Sequence, residues 1–264
     1  MILMTGKEVA EAIKPTTKTS LSLAIVFASN NSASKTYANS LIKLAEKLDI
    51  PTKLVELDEN VTYDEVAECL KSLSNDETVG NILPLMPFPK HINKNVLGYL
   101  APEKDLDNLL GINLWKDYFD NLGGTPQACI YTLKHYGIDL TGKHVVIIGR
   151  SNVVGLPLAN YLILNDATVT VCHTKTRDLS SFTKQADIII SAAGKAGIVT
   201  KDMVKDGVVI VDVGINFKDG KICGDVNADV MEKASAFTPV PNGIGVVSNM
   251  AIMKKHRKLC SWNG

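Results

Sequence analysis

Residues 143–164 read KHVVIIGRSNVVGLPLANYLIL, and this stretch decides the fold. His144–Gly149 is a short run of β-branched residues closed by glycine, the pattern of a buried strand. An apolar helix follows over Leu156–Leu164. Gly149 allows a tight turn at the strand end, and Gly155 allows the helix to pack closely on the sheet. The amides at that helix N-terminus favour a pyrophosphate. Ser151 holds the middle place of the G-x-G-x-x-G pattern, so the motif by itself is weak. Its order carries the assignment: strand, glycine turn, helix, then a second strand about 20 residues on. That second strand, TVTVCH, ends in Cys172-His173-Thr174-Lys175-Thr176-Arg177. An NAD site wants a carboxylate there for the ribose hydroxyls. Hydroxyl and basic side chains, with Arg150 beside them, suit a 2′-phosphate and favour NADP.

The same alternation extends in both directions. Downstream, DIIISAAG and VVIVDVG read as two more strands of the same sheet. Upstream, Leu21–Phe27, Thr52–Leu57 and Val79–Leu85 are strands, separated by helices ending near Leu48 and spanning Tyr63–Leu73. In the first of these helices Ala38, Leu41, Ala45 and Leu48 recur at three and four residues and mark one buried face. The preceding NNSASKTY is rich in N-cap candidates, Asn30 and Asn31 among them. The N-terminus reads as a helix over Gly6 to Lys14, stopped by Pro15. Gly123-Gly124-Thr125-Pro126 reads as the start of a bridging helix, with Thr125 as N-cap, after a loop carrying Trp115, Tyr118 and Phe119. The tail from Ser248 to Leu259 reads as a basic-ended helix. The fold class is therefore α/β in two domains. Residues 1–124 form an N-terminal α/β domain completed by a C-terminal helix at 246–264, and residues 125–245 form a Rossmann domain that includes the bridging helix.

Composition argues against several function classes. Lys plus Arg and Asp plus Glu both total 28, so no global field attracts nucleic acid or an anionic membrane. Apolar residues make up 45% and charged residues 21%, the balance of an ordinary globular enzyme. The five cysteines are widely spaced, and no pair has the spacing of a zinc site or redox dithiol. No metal is expected. Three of the cysteines lie in apolar runs, which points to buried free thiols in a reducing, cytoplasmic compartment. The apolar part of MILMTGKEVAEAIKP is too short for a signal peptide or a membrane span.

Nine stretches, in order, resemble the bifunctional methylene-tetrahydrofolate dehydrogenase/methenyl-tetrahydrofolate cyclohydrolase family. They are ASKTYANSLIKLAEKLDI, MPFPKHI, PEKDLDN, GGTP, GRSNVVGLP, TVTVCHTKT, DVGIN, GDV and TPVPNGIG. The resemblance covers essentially the whole chain. It implies a folate domain and a Rossmann NADP domain with a cleft between them, tetrahydrofolate derivatives as substrates, and a homodimer formed through the Rossmann domain. It implies that Tyr37 stacks on the folate rings, that Asp107 accepts from the pterin edge, and that Pro241 and Gly243 shape the wall of the site. Gly149, Arg150, Ser151, Thr174 and Ile215 would contact the dinucleotide, with Gly155 in the turn.

Two positions depart from the family where its chemistry is done. The family has Lys four residues after the tyrosine, one helical turn on; here that position is Leu41. Lys43 lies roughly 200° around the helix and should point elsewhere. The family has Gln two residues before the proline that is here Pro87; that place is Leu85. Asn108 replaces the glycine that usually follows the aspartate, a milder change. Hydride transfer from methylene-tetrahydrofolate needs positioning and a cofactor, but no proton leaves the substrate. Hydrolysing the methenyl product needs water activated and a proton delivered, which leucine cannot do. The expectation is a dehydrogenase with weak or absent cyclohydrolase. Two other readings compete: a degenerate relative that only binds folate and dinucleotide, and an enzyme of this architecture with another substrate.

Overall fold

The computed structural model describes residues 1–28, 32–111, 118–218 and 220–262. The chain divides into two compact units. The first gathers Met1–Lys14 with the stretch that ends at Ala251. Its sheet has six parallel strands: β1 (Ile2–Leu3), β5 (His144–Ile148), β6 (Thr168–Cys172), β7 (Ile188–Ser191), β8 (Val209–Asp212) and β11 (Ala236–Phe237). Their order is β1-β11-β8-β7-β5-β6, all in parallel register. The near-continuous apolar runs of β5, β7 and β8 follow from this, because a parallel sheet covered on both faces has no solvated side. Val146, Ile148, Ile189 and Ile210 share one core on a single face of it. Burying each such side chain contributes about 2 kcal/mol.

Helices α1 (Gly6–Ala12), α5 (Gly124–His135), α6 (Gly155–Ile163) and α7 (Leu179–Thr183) belong to this unit, with the short α4 (Tyr118–Asn121). A small antiparallel hairpin, β9 (Asn216–Lys218) with β10 (Lys221–Cys223), follows β8. The second unit holds a three-stranded parallel sheet of β2 (Ser22–Ala28), β3 (Thr52–Leu57) and β4 (Val79–Pro84), in the order β3-β2-β4. Helices α2 (Ser32–Lys47) and α3 (Tyr63–Asn75) supply its crossovers. Ala24 and Val26 of β2 share a core with Val66, Ala67, Leu70 and Leu73 of α3. Helix α8 (Ile244–Trp262) contributes to the first unit as far as Ala251 and to the second from Ile252.

The expected strands and helices are found within a few residues of their expected bounds, with three differences. The first concerns the boundary at residues 1–124. Met1–Lys14 belongs with the Rossmann sheet, because β1 pairs with β11 and the Met4 amide donates to Phe237 O at 2.8 Å. Tyr136 of the α5 C-cap fixes the same segment by donating to Thr5 O at 3.2 Å. Two-residue strands such as β1 and β11 carry too few residues for period or propensity to register. The second difference concerns α5, whose N-cap is Gly123 in extended conformation and not Thr125. Thr125 lies inside the helix, its hydroxyl 3.2 Å from that of Ser248. Third, α8 begins at Ile244, ahead of the expected start at Ser248. Asn30, Asn31 and Trp115 lie outside the described residues.

Within the second unit, α8 rests directly on β4. A Cβ on Gly80 would lie 2.4 Å from Cys260 Sγ, so only glycine lets helix and strand approach this closely. His256 is buried there, its Nδ1 2.9 Å from Asn81 Oδ1 and its Nε2 3.1 Å from Leu21 O. Burial pushes its pKa down to about 4, which keeps the ring neutral. All five cysteines are free; Cys129, Cys172 and Cys260 are buried.

Candidate dinucleotide and substrate sites

In the six-stranded sheet β5 lies between β6 and β7, so the chain builds outward to one side of β5 and then returns to the other. A crevice opens outside the carboxyl ends of strands at such a switch point. The Gly149 turn stands there. Its amide donates to Cys172 O at 2.9 Å, while the Ala192 amide donates to Ile148 O at 2.8 Å. Gly149 has φ +125°, and a Cβ on it would lie 2.4 Å from Ala192 O. A Cβ on Gly155 would lie 2.1 Å from Gly149 O. Both glycines are therefore required by backbone packed on backbone, and the cradle they leave fits a pyrophosphate at the start of α6. Ser151, in place of the middle glycine, turns its hydroxyl inward and accepts from Val154 N at 3.1 Å.

The other cofactor residues expected from sequence emerge on the same edge. Arg150, Ser151 and Thr174 are exposed, following β5 and β6, whose last residues Ile148 and Cys172 are in register. Ile215, after β8, is 65% exposed, and Phe217 on the following hairpin is 75% exposed. The loop carrying Thr174 is held by its own bonds, His173 N to Thr176 Oγ1 at 2.9 Å and Lys175 N to His173 Nδ1 at 3.1 Å. The first carboxylate after β6 is Asp178, and it is engaged as the N-cap of α7, accepting from Ser181 N at 3.2 Å. Exposed Lys175 and Arg177 stand where an NAD site would present an acid. The donor set fits a 2′-phosphate.

A buried pair of carboxylates on this edge is not apparent from sequence. Asp212, at the end of β8, accepts from Gly214 N (2.9 Å) and Asp225 N (3.0 Å) on one oxygen and from Val226 N (2.9 Å) on the other. Asp225 accepts from Ser191, Ala193, Gly194, Lys195 and Asn216. The only sequence signal is the pair of strings VDVG and GDV, which contain nothing to say that they meet. Burial pushes Asp212 up to about 6, outweighing its three amide bonds, and the neighbouring Asp225 adds to the rise. The native state then binds the proton more tightly than the unfolded chain. The stability Asp212 contributes is full below about pH 4 and declines by about 3 kcal/mol as pH rises through 6. The stability advantage of wild type over Asp212→Asn should therefore shrink between pH 4 and pH 6.5 in denaturant titrations. An advantage that is flat or grows over that range would contradict the assignment.

Each unit holds some of the residues that the resemblance assigns to folate. In the second unit, β2 and β4 are neighbours with β3 outside β2, so this sheet has its own switch point, at the carboxyl ends of β2 and β4. Leu85 follows β4 there, its amide donating to Val26 O at 2.8 Å, and its side chain is 6% exposed. Tyr37 is half-buried on α2. One turn on, Leu41 is wholly buried, whereas Lys43 is exposed to solvent. The described lysine nearest to Leu41 in sequence therefore points away from that buried face. Asp107 is half-buried on the turn beyond the Ile82–Asp105 bridge at the edge of β4.

That turn is built by a residue that no sequence motif singles out. The buried Asp105 accepts from Leu109 N at 3.0 Å and Leu110 N at 2.8 Å, and so fixes the backbone on either side of Asp107. Burial raises its pKa, and these amide bonds work against the rise. Asn108 has φ +53°, which accounts for asparagine in the place of the family's glycine: the left-handed position favours glycine and tolerates asparagine. In the first unit, Pro241 is exposed after a cis peptide bond. Gly243 is buried, and a Cβ on it would lie 2.2 Å from Pro239 O.

Residues 4–107 match the model of the tetrahydrofolate dehydrogenase/cyclohydrolase catalytic domain, and residues 123–263 match that of the NAD(P)-binding domain. Bifunctional protein FolD of Clostridium botulinum is 42% identical over 239 residues, covering 88% of this chain and 85% of its own length. The crystal structure of the bifunctional FolD methylenetetrahydrofolate dehydrogenase/cyclohydrolase of Campylobacter jejuni superposes with a TM-score of 0.92 at 37% identity, covering both chains completely. The Trypanosoma brucei methylenetetrahydrofolate dehydrogenase-cyclohydrolase, solved with NADP cofactor and inhibitor, gives 0.91 at 29% identity, covering 99% of this chain and 98% of its own.

Proposed function

Because this chain belongs to the tetrahydrofolate dehydrogenase/cyclohydrolase family, we propose that it oxidises methylene-tetrahydrofolate to methenyl-tetrahydrofolate with NADP and hydrolyses the product weakly or not at all. The observation that carries the first half is the glycine cradle at the β5/β7 switch point. Bound NADP would supply the hydride acceptor. Gly149, Gly155 and the start of α6 hold its pyrophosphate; Arg150 and Thr174 receive the 2′-phosphate; Ile215 covers an apolar face of it. Tyr37 stacks on the folate rings, and Asp107 accepts from the pterin edge, which orients the substrate without exchanging a proton with it. Pro241 and Gly243 are further substrate contacts.

The second half rests on Leu41 and Leu85. Both are apolar and buried, and the neighbouring Lys43 faces solvent. Hydrolysis needs a side chain that takes a proton from water and gives one to the departing nitrogen, and its loss typically costs about 10²–10⁴-fold. The reading that the chain only binds its ligands predicts no absorbance change when protein, NADP and methylene-tetrahydrofolate are mixed. A homodimer through the Rossmann domain, on the family resemblance, and a cytoplasmic location, on the free cysteines, complete the proposal. No helix among the described residues is long and apolar enough to cross a membrane.

Absorbance tests the proposal directly. Protein mixed with NADP and methylene-tetrahydrofolate should produce reduced nicotinamide and methenyl-tetrahydrofolate together. Reduced nicotinamide only with an unrelated substrate, or no change at all, would refute it.

A further inference from the structure

Asp225 is fully buried and accepts five hydrogen bonds. Oδ2 receives Ser191 Oγ (3.0 Å), Ala193 N (2.7 Å) and Gly194 N (3.1 Å). Oδ1 receives Lys195 N and the Asn216 side-chain amide, both at 2.9 Å. Three of the donors are consecutive backbone amides, made to converge by Gly194 at φ +62°. Such a concavity of amides ordinarily receives an anion, and here the anion is a carboxylate of the same chain. The fit is close: a Cβ on Gly214 would lie 2.2 Å from Asp225 Oδ1. Gly224, the residue before Asp225, makes the reciprocal approach, with a Cβ that would lie 2.0 Å from Asp212 Oδ2.

The segments that Asp225 ties together face the crevice. Residues 193–195 continue from Ala192, whose carbonyl oxygen abuts Gly149 and whose amide extends the β5–β7 pairing. They therefore extend the backbone that packs against the Gly149 turn. Asn216, the first residue of β9, follows Ile215 directly, so anchoring its side chain inward holds the backbone from which the exposed Ile215 projects. Both segments lie beyond β7 and β8. The adenosine half of a dinucleotide lies over β5 and β6, where the 2′-substituent is read, so the β7–β8 side receives the nicotinamide half.

We propose that Asp225 is a positioning residue for the nicotinamide half of the dinucleotide, fixing the 192–195 wall and the outward set of Ile215 through one buried carboxylate. It touches neither cofactor nor substrate. The inference rests on the dinucleotide occupying the β5/β7 crevice, and wild-type binding of NADP tests that premise separately.

The test is binding, read by calorimetry, of NADP and of 2′,5′-ADP, which carries the adenosine half and its 2′-phosphate but no nicotinamide. In Asp225→Asn the side-chain NH2 replaces one acceptor oxygen and faces N–H donors, so one wall is released. NADP affinity should fall about tenfold while 2′,5′-ADP affinity stays within about twofold. Asn216→Ala removes a single donor from a partly buried position and should weaken NADP about threefold, with the fragment unaffected. It decides the matter if Asp225→Asn does not fold. Thr183→Val, which removes a buried hydroxyl bond to Met203 O (2.7 Å) away from the crevice, is the control for lost stability and should leave both affinities unchanged. Equal weakening of NADP and fragment, or an NADP loss no larger than in Thr183→Val, would overturn the proposal. Wild type that binds the fragment but not NADP would overturn it too, and wild type that binds neither would refute the premise.

Discussion

Gly155→Val is expected to weaken NADP binding about 30-fold, because the new side chain forces α6 off the β5 turn at a cost of about 2 kcal/mol. The neighbour that a Cβ meets is a backbone oxygen, Gly149 O at 2.1 Å, and a backbone atom inside a paired strand end cannot swing aside as a side-chain terminus can. Relief comes only from moving the helix or the Gly149–Ser151 turn against it, which displaces the cradle a pyrophosphate requires. Gly98→Ala is the matched control, since nothing lies within 4 Å of its Cβ, and NADP affinity there should stay within about twofold of wild type. An NADP affinity in Gly155→Val within about threefold of wild type would mean that the cradle is not where the dinucleotide binds.

The second large effect concerns Leu41 and Leu85. Restoring Lys and Gln together should raise hydrolysis of methenyl-tetrahydrofolate by about 10²-fold or more while hydride transfer changes by less than about threefold. The two activities divide because only hydrolysis moves protons through protein side chains. Leu41 is wholly buried, so a lysine there carries a desolvation cost and a lowered pKa, which places it closer to the neutral range where an acid–base is effective. The same burial means the double variant will be less stable. Leu41→Met with Leu85→Met keeps the volume and adds no proton-exchanging group, and it should leave hydrolysis at the wild-type level. Equal gains in both activities, or a gain in the methionine variant, would contradict the division of labour.

What a sequence conveys and what it withholds follow from the range of each signal. Local period and glycine placement mark β5, the turn and α6, because all the information lies within about 20 consecutive residues. The strand–turn–helix pattern alone assigns Gly155 to close packing, and a Cβ distance of 2.1 Å bears that out. The strands β1 and β11 leave no such mark because two residues have no period, and their pairing joins Ile2 to Ala236 across almost the whole chain. That long-range pairing is also why Met1–Lys14, expected with the N-terminal domain, joins the compact unit of the six-stranded sheet. Residue preference alone points to Thr125 as an N-cap, whereas Gly123 takes the extended backbone that the position needs. The roles of Asp105 and Asp225, although both lie in stretches that match the family, are not legible in sequence for a related reason. Their importance lies in which amides converge on them, and for Asp225 three of those amides come from about 30 residues away in sequence. Asn108 is legible as a departure from the family, but its harmlessness becomes clear only from φ +53°.

The most direct measurement is the rate at which the purified protein, given methenyl-tetrahydrofolate alone, accelerates its conversion to the formyl product, set beside the Clostridium botulinum FolD protein under the same conditions. A rate at least about 100-fold below that comparator, in a preparation that reduces NADP with methylene-tetrahydrofolate, is the outcome expected of an enzyme whose Leu41 and Leu85 cannot move protons. A rate within about tenfold of the comparator would show that another group in this chain performs the hydrolysis, and the separation of the two activities would fail.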